Sequence, residues 1–466
     1  MLIMKFGGTS VANADAIAQV AEIVLKQSAT GDRIVAVVSA MSGVTDMLTR
    51  GVRAAAGGDE SVCRDVADEI LHRTREAAES LIPLGADRSG VLAAAEETMA
   101  GYLAVCGSVH VLEEATPRVL DRATSCGEPL VAGLLAAHLR AMGRRAEAVN
   151  PGEVIVTGNT FQNAAPLPSE TRARCTERLA PFLAEGTIPV IGGFIGATAD
   201  GVTTTLGRGG SDFSAAILGQ ALAADEVWIW TDVDGVMSAD PRLVADARVI
   251  PVLSYVEIGE LAYFGAAVLH PRTIRPLVDE RIPLRIKNTF RPEAEGTRIE
   301  ADANPAPGTI KAVTDIPGLS MVTVEGRGML GVPGIAARTF DAVARCNANV
   351  LMISQASSEQ SICFVIPATD VDCVRGELEE EFALEISRRE IDRVGTLDGV
   401  GVVTALGAGM RGVAGVAGRL FTALAQHDVN IVAIAQGSSE CSVSIVVTEQ
   451  DNESAVRAIH EEVMRR

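Results

Sequence analysis

The sequence predicts an α/β region with a mostly parallel sheet, followed by a duplicated α+β region. Three observations lead to this. Apolar, strand-like runs alternate with helical patterns up to about residue 300, and several of these runs end in loops of Gly, Ser, Thr or Asp. The stretch ADANPAPG at 301–308 breaks that pattern and reads as a linker. Beyond it, VTVEGRGMLGVPGIAARTF from Val322 is matched without gaps by VTALGAGMRGVAGVAGRLF from Val403.

The first run, MLIMKFGGTS, reads as a buried strand, a tight turn and a helix start, the helix running from about Val11 to Gln27. Gly7 and Gly8 let backbone approach a ligand with no side chain in the way. The free N–H groups of a helix start favour an anion, and Lys5 points a cation to the same place. The competing reading is an ordinary strand–turn–helix with an incidental lysine. Of the 40 basic residues only Lys5, Lys26, Lys287 and Lys311 are lysines. An ammonium suits a point contact to phosphate where a forked guanidinium is too large.

The next run, Arg33 to Val38, ends in SAMSGVTD. This loop offers the hydroxyls of Ser39 and Thr45 at a strand's C-terminal end, where open α/β sheets bind ligands. Alternatively it is a polar loop with Asp46 near a helix start. Residues 52–115 read as helices without identifiable chemistry. In TSCGEPL, Glu128 lies near a helix N-terminus, as a dipole partner or a ligand contact. Strand-like runs at Val154–Val156 and Ile188–Ile195 lead to VTTTLGRGGSDFSAAILG. There Gly207, Gly209 and Gly210 frame Arg208, whose fork suits a carboxylate, and Ser211 or Asp212 is the expected N-cap. The strand Glu226–Trp230 ends in TDVDGV, with Asp232 and Asp234, and PLRIKNTF around Lys287 reads as the final strand before the linker.

The formal net charge of −20 argues against nucleic acid and anionic membrane surfaces as partners. No apolar run is long enough to span a bilayer, and the chain opens directly into a strand. Eight cysteines show no CxxC pair and six histidines no metal-ligand spacing. A reduced cytoplasmic protein with its cysteines packed in the core is expected. Each repeat reads strand, glycine-rich turn, helix, strand, strand, helix, the split-βαβ order, and such paired modules are expected to pack on each other. Both repeats contain a literal GxGxxG, but the following strands NVLMIS and NIVAIA lack the acid that a dinucleotide site needs. P-loop and protein-kinase signatures are absent.

Taken in order, KFGGTSV, SAMSGVTD, LGRGGSD, TDVDGV, FGAAVLHP and the two SSE-containing repeats resemble the aspartate kinases of the amino-acid kinase family, over essentially the whole chain. The resemblance implies a three-layer αβα catalytic domain at 1–300, a linker at 301–309, and two ferredoxin-like ACT domains at 310–395 and 396–466, with interleaving allowed. With nothing after the second ACT domain, the chain resembles the monofunctional members. The implied reaction moves the γ-phosphate of MgATP to the β-carboxylate of L-aspartate. Its product is 4-phospho-L-aspartate, and it is the first step toward lysine, threonine and methionine. The resemblance implies catalytic roles for Lys5, Arg208 and Asp212. It implies nucleotide contacts from Lys5, Gly7, Gly8, Ser10, Thr231, Asp232, Met237, Arg242 and Ala267. Substrate contacts follow from Ser39, Thr45, Glu128, Arg208, Gly209, Gly210 and Ser211.

Two positions depart from the family. Ala267 stands where a phosphate-binding lysine is common, and Met237 where tyrosine is common. The first leaves the site one cation short, with Lys287 or an arginine as the candidate replacement. It also supports the rival reading of a non-catalytic amino-acid sensor on a weakened kinase scaffold. A related kinase acting on glutamate is a third reading. The segments ISQASSEQS and IAQGSSECS resemble those of the threonine-responsive enzymes. That implies effector contacts from Gln355, Gln436, Ser358 and Ser439, with threonine ahead of lysine. On the residues alone, Gln355 and Gln436 equally cap a strand edge. Association through ACT domains implies a homo-oligomer, dimer or tetramer.

Overall fold

The computed structural model describes all residues except 264–268, 302, 304, 356–359 and 465–466. Its chain contacts define two units. The first comprises Met1–Val236, Pro251–Tyr255 and Val268–Ala303, and the second Met237–Ile250, Val256–Ala267 and Asn304–Arg466.

The first unit holds strands β1 (Leu2–Phe6), β2 (Ile34–Val38), β3 (Ala146–Val149), β4 (Ile188–Gly192), β5 (Ile195–Ala197), β6 (Thr203–Thr205), β7 (Glu226–Thr231), β8 (Val252–Ser254), β9 (Leu284–Asn288) and β10 (Thr297–Glu300). Eight of them form one sheet in the order β3-β4-β2-β1-β7-β9-β10-β8, while β5 and β6 pair separately. All neighbours in the large sheet are parallel except β9 and β10. All five residues of β1 are buried, as a strand covered by helices on both faces requires.

Alternation along β1 assigns its residues to two layers. Leu2, Met4 and Phe6 join a core with the helices Ala14–Ser28, Val44–Ala56, Ser61–Leu81, Ala86–Leu112 and Gly127–Ala141. Ile3 and Lys5 take the other face, where Lys5 meets the helix Gly210–Leu222. That helix lies close on the sheet because Gly219 has no side chain. A Cβ there would come within 2.8 Å of Val227. The result is the expected αβα sandwich.

Some local readings need correction. The helix after β1 begins at Ala14, with Thr9–Val11 a separate 3-10 turn. Asn13 accepts a hydrogen bond from the N–H of Ala16 and is the better N-cap. Val154–Val156 is not a strand. Pro151 and Gly152 start a 3-10 turn before it, capped by Asn150, and the sheet edge is β3 instead. The short strands β8 and β10 were not expected.

The second unit carries β11 (Ala312–Glu325), β12 (Met352–Gln355), β13 (Ser361–Pro367), β14 (Arg393–Leu406), β15 (Ala433–Gln436) and β16 (Ser442–Thr448). They form one antiparallel sheet in the order β12-β13-β11-β14-β16-β15. Each repeat keeps its three strands together in this sheet, and the long strands β11 and β14 pair along their length to join the two repeats. Val313, at the start of β11, packs with Val403, Leu420 and Ile459 of the second repeat. Glu257, fully buried, pairs with Lys311 at 2.9 Å and accepts the N–H of Ala408 at 2.7 Å.

The expectation of reduced cysteines fails at one place. Cys346 and Cys373 form a disulfide with a Cα–Cα distance of 6.0 Å, across 27 residues of sequence. It links the end of the helix Ile335–Arg345 to the helix Val371–Glu381. The other six cysteines are free, and all but Cys363 are buried.

Candidate active site

At the C-terminal end of β1 lies a cavity of about 470 Å³, lined by Lys5, Gly8, Ser39, Thr45, Glu128, Arg208, Gly209, Gly210, Ser211 and Asp212 among others. A second cavity of about 440 Å³ has only Glu97 and Arg122 as charged lining residues.

Three loops build the first cavity. Gly7 donates its N–H to the Trp230 carbonyl at 3.0 Å, and a Cβ on Gly8 would meet the Ala40 carbonyl at 3.3 Å. The first turn thus sits tightly between β7 and the Ser39–Ser42 loop. Gly43 and Gly209 cap the helices Val44–Ala56 and Gly210–Leu222 in the left-handed conformation, at φ 80° and 70°, which favours glycine. Gly209 is therefore the cap in place of Ser211 or Asp212, and those two lie in the first turn.

Lys5 Nζ stands 2.5 Å from Asp212 Oδ1, with both side chains largely buried. The approach has ion-pair distance but not hydrogen-bond alignment, and Oδ1 is left without a hydrogen-bond donor. Arg208 is exposed at the cavity, and no ion pair engages it among the described residues. Glu128 is 3% exposed, and its Oε2 has no hydrogen-bond partner among the described residues. Burial pushes its carboxyl up to about 8, against the opposing hydrogen bonds of its own N–H and that of Ala40. Gly192 permits this burial, since a Cβ there would come within 2.9 Å of Glu128 Cβ.

Other expected residues lie elsewhere. Thr231 donates to Asp232 at 3.1 Å, and Asn288 donates to Asp234 at 2.7 Å, at the ends of β7 and β9. Ser10 is fully buried, and its hydroxyl is 2.6 Å from that of Thr289, so it braces the turn from behind. Met237 and Arg242 fall in the second unit, where Arg242 is exposed and paired with Asp240 at 2.6 Å. Ala267 lies outside the described residues. Lys287, the candidate replacement for the cation common at that position, lies on the other side of the sheet from Lys5. It is in register with Trp230 while Lys5 is in register with Ile229, so the two lysines take opposite sheet faces. Its Nζ donates to the Ala294 carbonyl at 2.6 Å and lies 5.3 Å from the Trp230 ring. Burial lowers its pKa.

In the second unit, Gln355 lines a cavity of about 320 Å³ with Gly331, Pro333 and Gly334. Gln436 is exposed at the end of β15. Ser439 donates to Glu260 at 3.3 Å. Ser358 lies outside the described residues. Phe194, which no sequence signal marks, also lines the first cavity, at φ 68°. A Cβ on Gly210 would come within 2.6 Å of its ring.

An open α/β sheet that gathers a lysine, an arginine and two carboxylates between glycine loops defines a small-molecule site for anionic ligands. Residues 1–288 match the amino acid kinase family, and residues 322–382 and 403–463 each match the ACT domain. The chain is 38% identical to bifunctional aspartokinase/homoserine dehydrogenase 2 of Zea mays, over 98% of this chain and 50% of that protein. It thus spans about half the length of that relative. It is 32% identical to aspartokinase 3 of Arabidopsis thaliana, over 98% of this chain and 80% of that one. Its fold matches E. coli aspartokinase III in complex with lysine and aspartate at TM-score 0.81, 30% identity and full coverage of both chains. It matches the aspartate kinase of Clostridium acetobutylicum at TM-score 0.82, 27% identity and 99% coverage of both chains. The chain belongs to the amino acid kinase family, in its aspartokinase branch.

Proposed function

We propose that the chain is an aspartate kinase, which transfers the γ-phosphate of ATP to the β-carboxylate of L-aspartate and releases ADP and 4-phospho-L-aspartate. The observation that carries this reading is the Lys5–Asp212 pair, set in one cavity beside a buried glutamate and an arginine with no ion pair among the described residues. E. coli aspartokinase III, described in complex with aspartate and ADP, supports it at 30% identity.

The substrate carboxylate is already an anion at neutral pH, so no general base is required. The obstacle is repulsion between that anion and the nucleotide phosphates. Catalysis is therefore positioning plus charge screening. Lys5 meets the transferring phosphoryl group, and Gly7 and Gly8 shape the turn around it. Arg208 takes the α-carboxylate of the amino acid and Glu128 its ammonium, with Ser39, Thr45, Gly209, Gly210 and Ser211 around them. Asp212 holds Lys5 in place. Thr231 and Asp232 serve the nucleotide side. Mg²⁺ enters with ATP as part of the substrate. Phosphates and one or two carboxylates suffice to hold Mg²⁺.

The Gln355 cavity has room for an amino acid, and threonine is the proposed effector, with lysine second. A homo-oligomer joined through the ACT domains completes the reading, as does a place at the head of lysine, threonine and methionine synthesis. A coupled ADP-release assay with L-aspartate tests the activity. No turnover, with effector binding retained, would favour a sensor, and turnover with glutamate alone would favour the third reading. Isothermal titration with threonine and lysine tests the effector, and lysine binding alone reverses the order.

A further inference from the structure

Asp121, on the helix Pro117–Thr124, has 0% exposure. Its Oδ1 accepts from Gln162 Nε2 at 2.6 Å, from Thr205 Oγ1 at 2.6 Å and from the Gln162 N–H at 3.0 Å. Its Oδ2 accepts from the Thr205 N–H at 3.0 Å and shares the Gln162 N–H at 3.1 Å. No cation pairs with it among the described residues. All five of these bonds are donated to the carboxylate, the pattern an acceptor-only group serves. A buried carboxylate without a counter-charge is costly where packing alone is needed, and its use here points to a task.

The bonded groups reveal that task. Thr205 ends β6 and leads directly through Leu206 and Gly207 to Arg208. Gln162 holds a left-handed backbone at φ 66°, and its carbonyl would lie 2.9 Å from a Cβ on Gly207. The Ala164 N–H donates to the Thr205 carbonyl at 2.9 Å. The segment keyed to Asp121 therefore clamps the root of the Arg208 loop. On its other side, Asp121 accepts the Ser125 N–H through its own carbonyl at 3.1 Å. The chain then passes through Cys126 into the helix Gly127–Ala141, whose first turn holds Glu128. One residue thus joins the roots of both groups proposed to grip the amino acid, its carboxylate holding the Arg208 loop and its helical backbone leading into the turn before Glu128.

We propose that Asp121 is a positioning residue that sets the spacing of Arg208 and Glu128, and so the affinity for the amino-acid substrate. A single carbon separates the α-ammonium and α-carboxylate of an amino acid, so the two grips tolerate little relative drift. This inference rests on the aspartate kinase reading. Two variants and two readouts test it. Asp121→Asn puts an N–H donor among donors, Thr205→Val removes one hydroxyl at equal size, and Thr205→Ser restores it. In steady-state assays, D121N is expected to raise the KM for aspartate at least tenfold and T205V severalfold. T205S stays near the parent, and the KM for ATP stays within about twofold throughout. Hydrogen exchange over residues 206–210 is expected to quicken in D121N and T205V. Folded variants with an unchanged aspartate KM, or with both KM values raised equally, overturn the inference, as does unchanged exchange in T205V if D121N does not fold. A parent protein with no aspartate-dependent ADP release overturns the kinase reading, and the exchange measurement still decides whether Asp121 holds the loop.

Discussion

Lys5 and Asp212 meet across the gap between β1 and the helix Gly210–Leu222, Nζ to Oδ1 at 2.5 Å, with side chains 10% and 17% exposed. The carboxylate fixes the ammonium, whose three donors leave others free for a ligand. Such a fixed charge needs no reorganisation as the reaction proceeds. Lys5→Met is expected to lower the rate of aspartate-dependent ADP release by about 10²–10³-fold. Circular dichroism should show a folded protein. A folded K5M enzyme with parental turnover would remove Lys5 from the mechanism.

Glu128, if it takes the substrate ammonium as proposed, is expected to link substrate binding to pH. Burial holds its carboxyl at about 8, so in the free site this carboxyl is mostly protonated at pH 7. An arriving ammonium supplies the missing counter-charge and draws the proton off. Aspartate binding at pH 7 is therefore expected to release close to one proton, measurable by titration calorimetry in buffers of different ionisation enthalpy. The KM for aspartate should fall as pH rises toward 8.5. Stability moves the opposite way. A carboxyl whose folded pKa is raised stabilises the protein fully below its unfolded pKa, near 4.5, and that contribution is lost as pH rises to about 8. Relative to Glu128→Gln, the parent should lose on the order of 1 kcal/mol per pH unit across this window.

Arg208 stands at the cavity without an ion-pair partner among the described residues, on a loop held by left-handed Gly207 and Gly209. Its planar fork grips a carboxylate through two parallel bonds, which a lysine cannot reproduce. Arg208→Lys is expected to raise the KM for aspartate about tenfold or more, a loss of 1.4 kcal/mol or so, and to leave the KM for ATP near its parental value. An unchanged aspartate KM would assign the loop to another ligand.

The parts of this arrangement that were legible in the sequence are local. Lys5 beside two glycines, Arg208 between glycines and the gapless repeat each write their geometry within a few residues. Long-range packing writes nothing so compact. Asp121 looks like any acid on an amphipathic helix, yet its partners are 41 and 84 residues away. Lys287 looked available until strand register turned it toward Trp230. The segment from Met237 to Ile250 continues the kinase sequence but clusters with the second unit, where Ser238 meets His460 at 2.9 Å. The helix Gly210–Leu222 starts one or two residues before the expected Ser211 or Asp212 cap because left-handed Gly209 takes the cap position.

The Cys346–Cys373 bond yields a prediction about stability. It closes a stretch of 27 residues, and a loop of that size restricts the unfolded chain by about 3.5 kcal/mol. The two helices that it joins already share a core in which Val343, Val374, Leu378 and Phe382 are buried. The first repeat should therefore survive loss of the bond as a less stable fold. Non-reducing peptide mapping is expected to recover the linked peptides. Reduction should lower the thermal midpoint of the parent by several degrees and leave a Cys373→Ser variant unmoved. Equal sensitivity of both proteins to reductant would mean that the effect arises at another thiol, and absence of the linked peptide would mean that the bond does not form in solution.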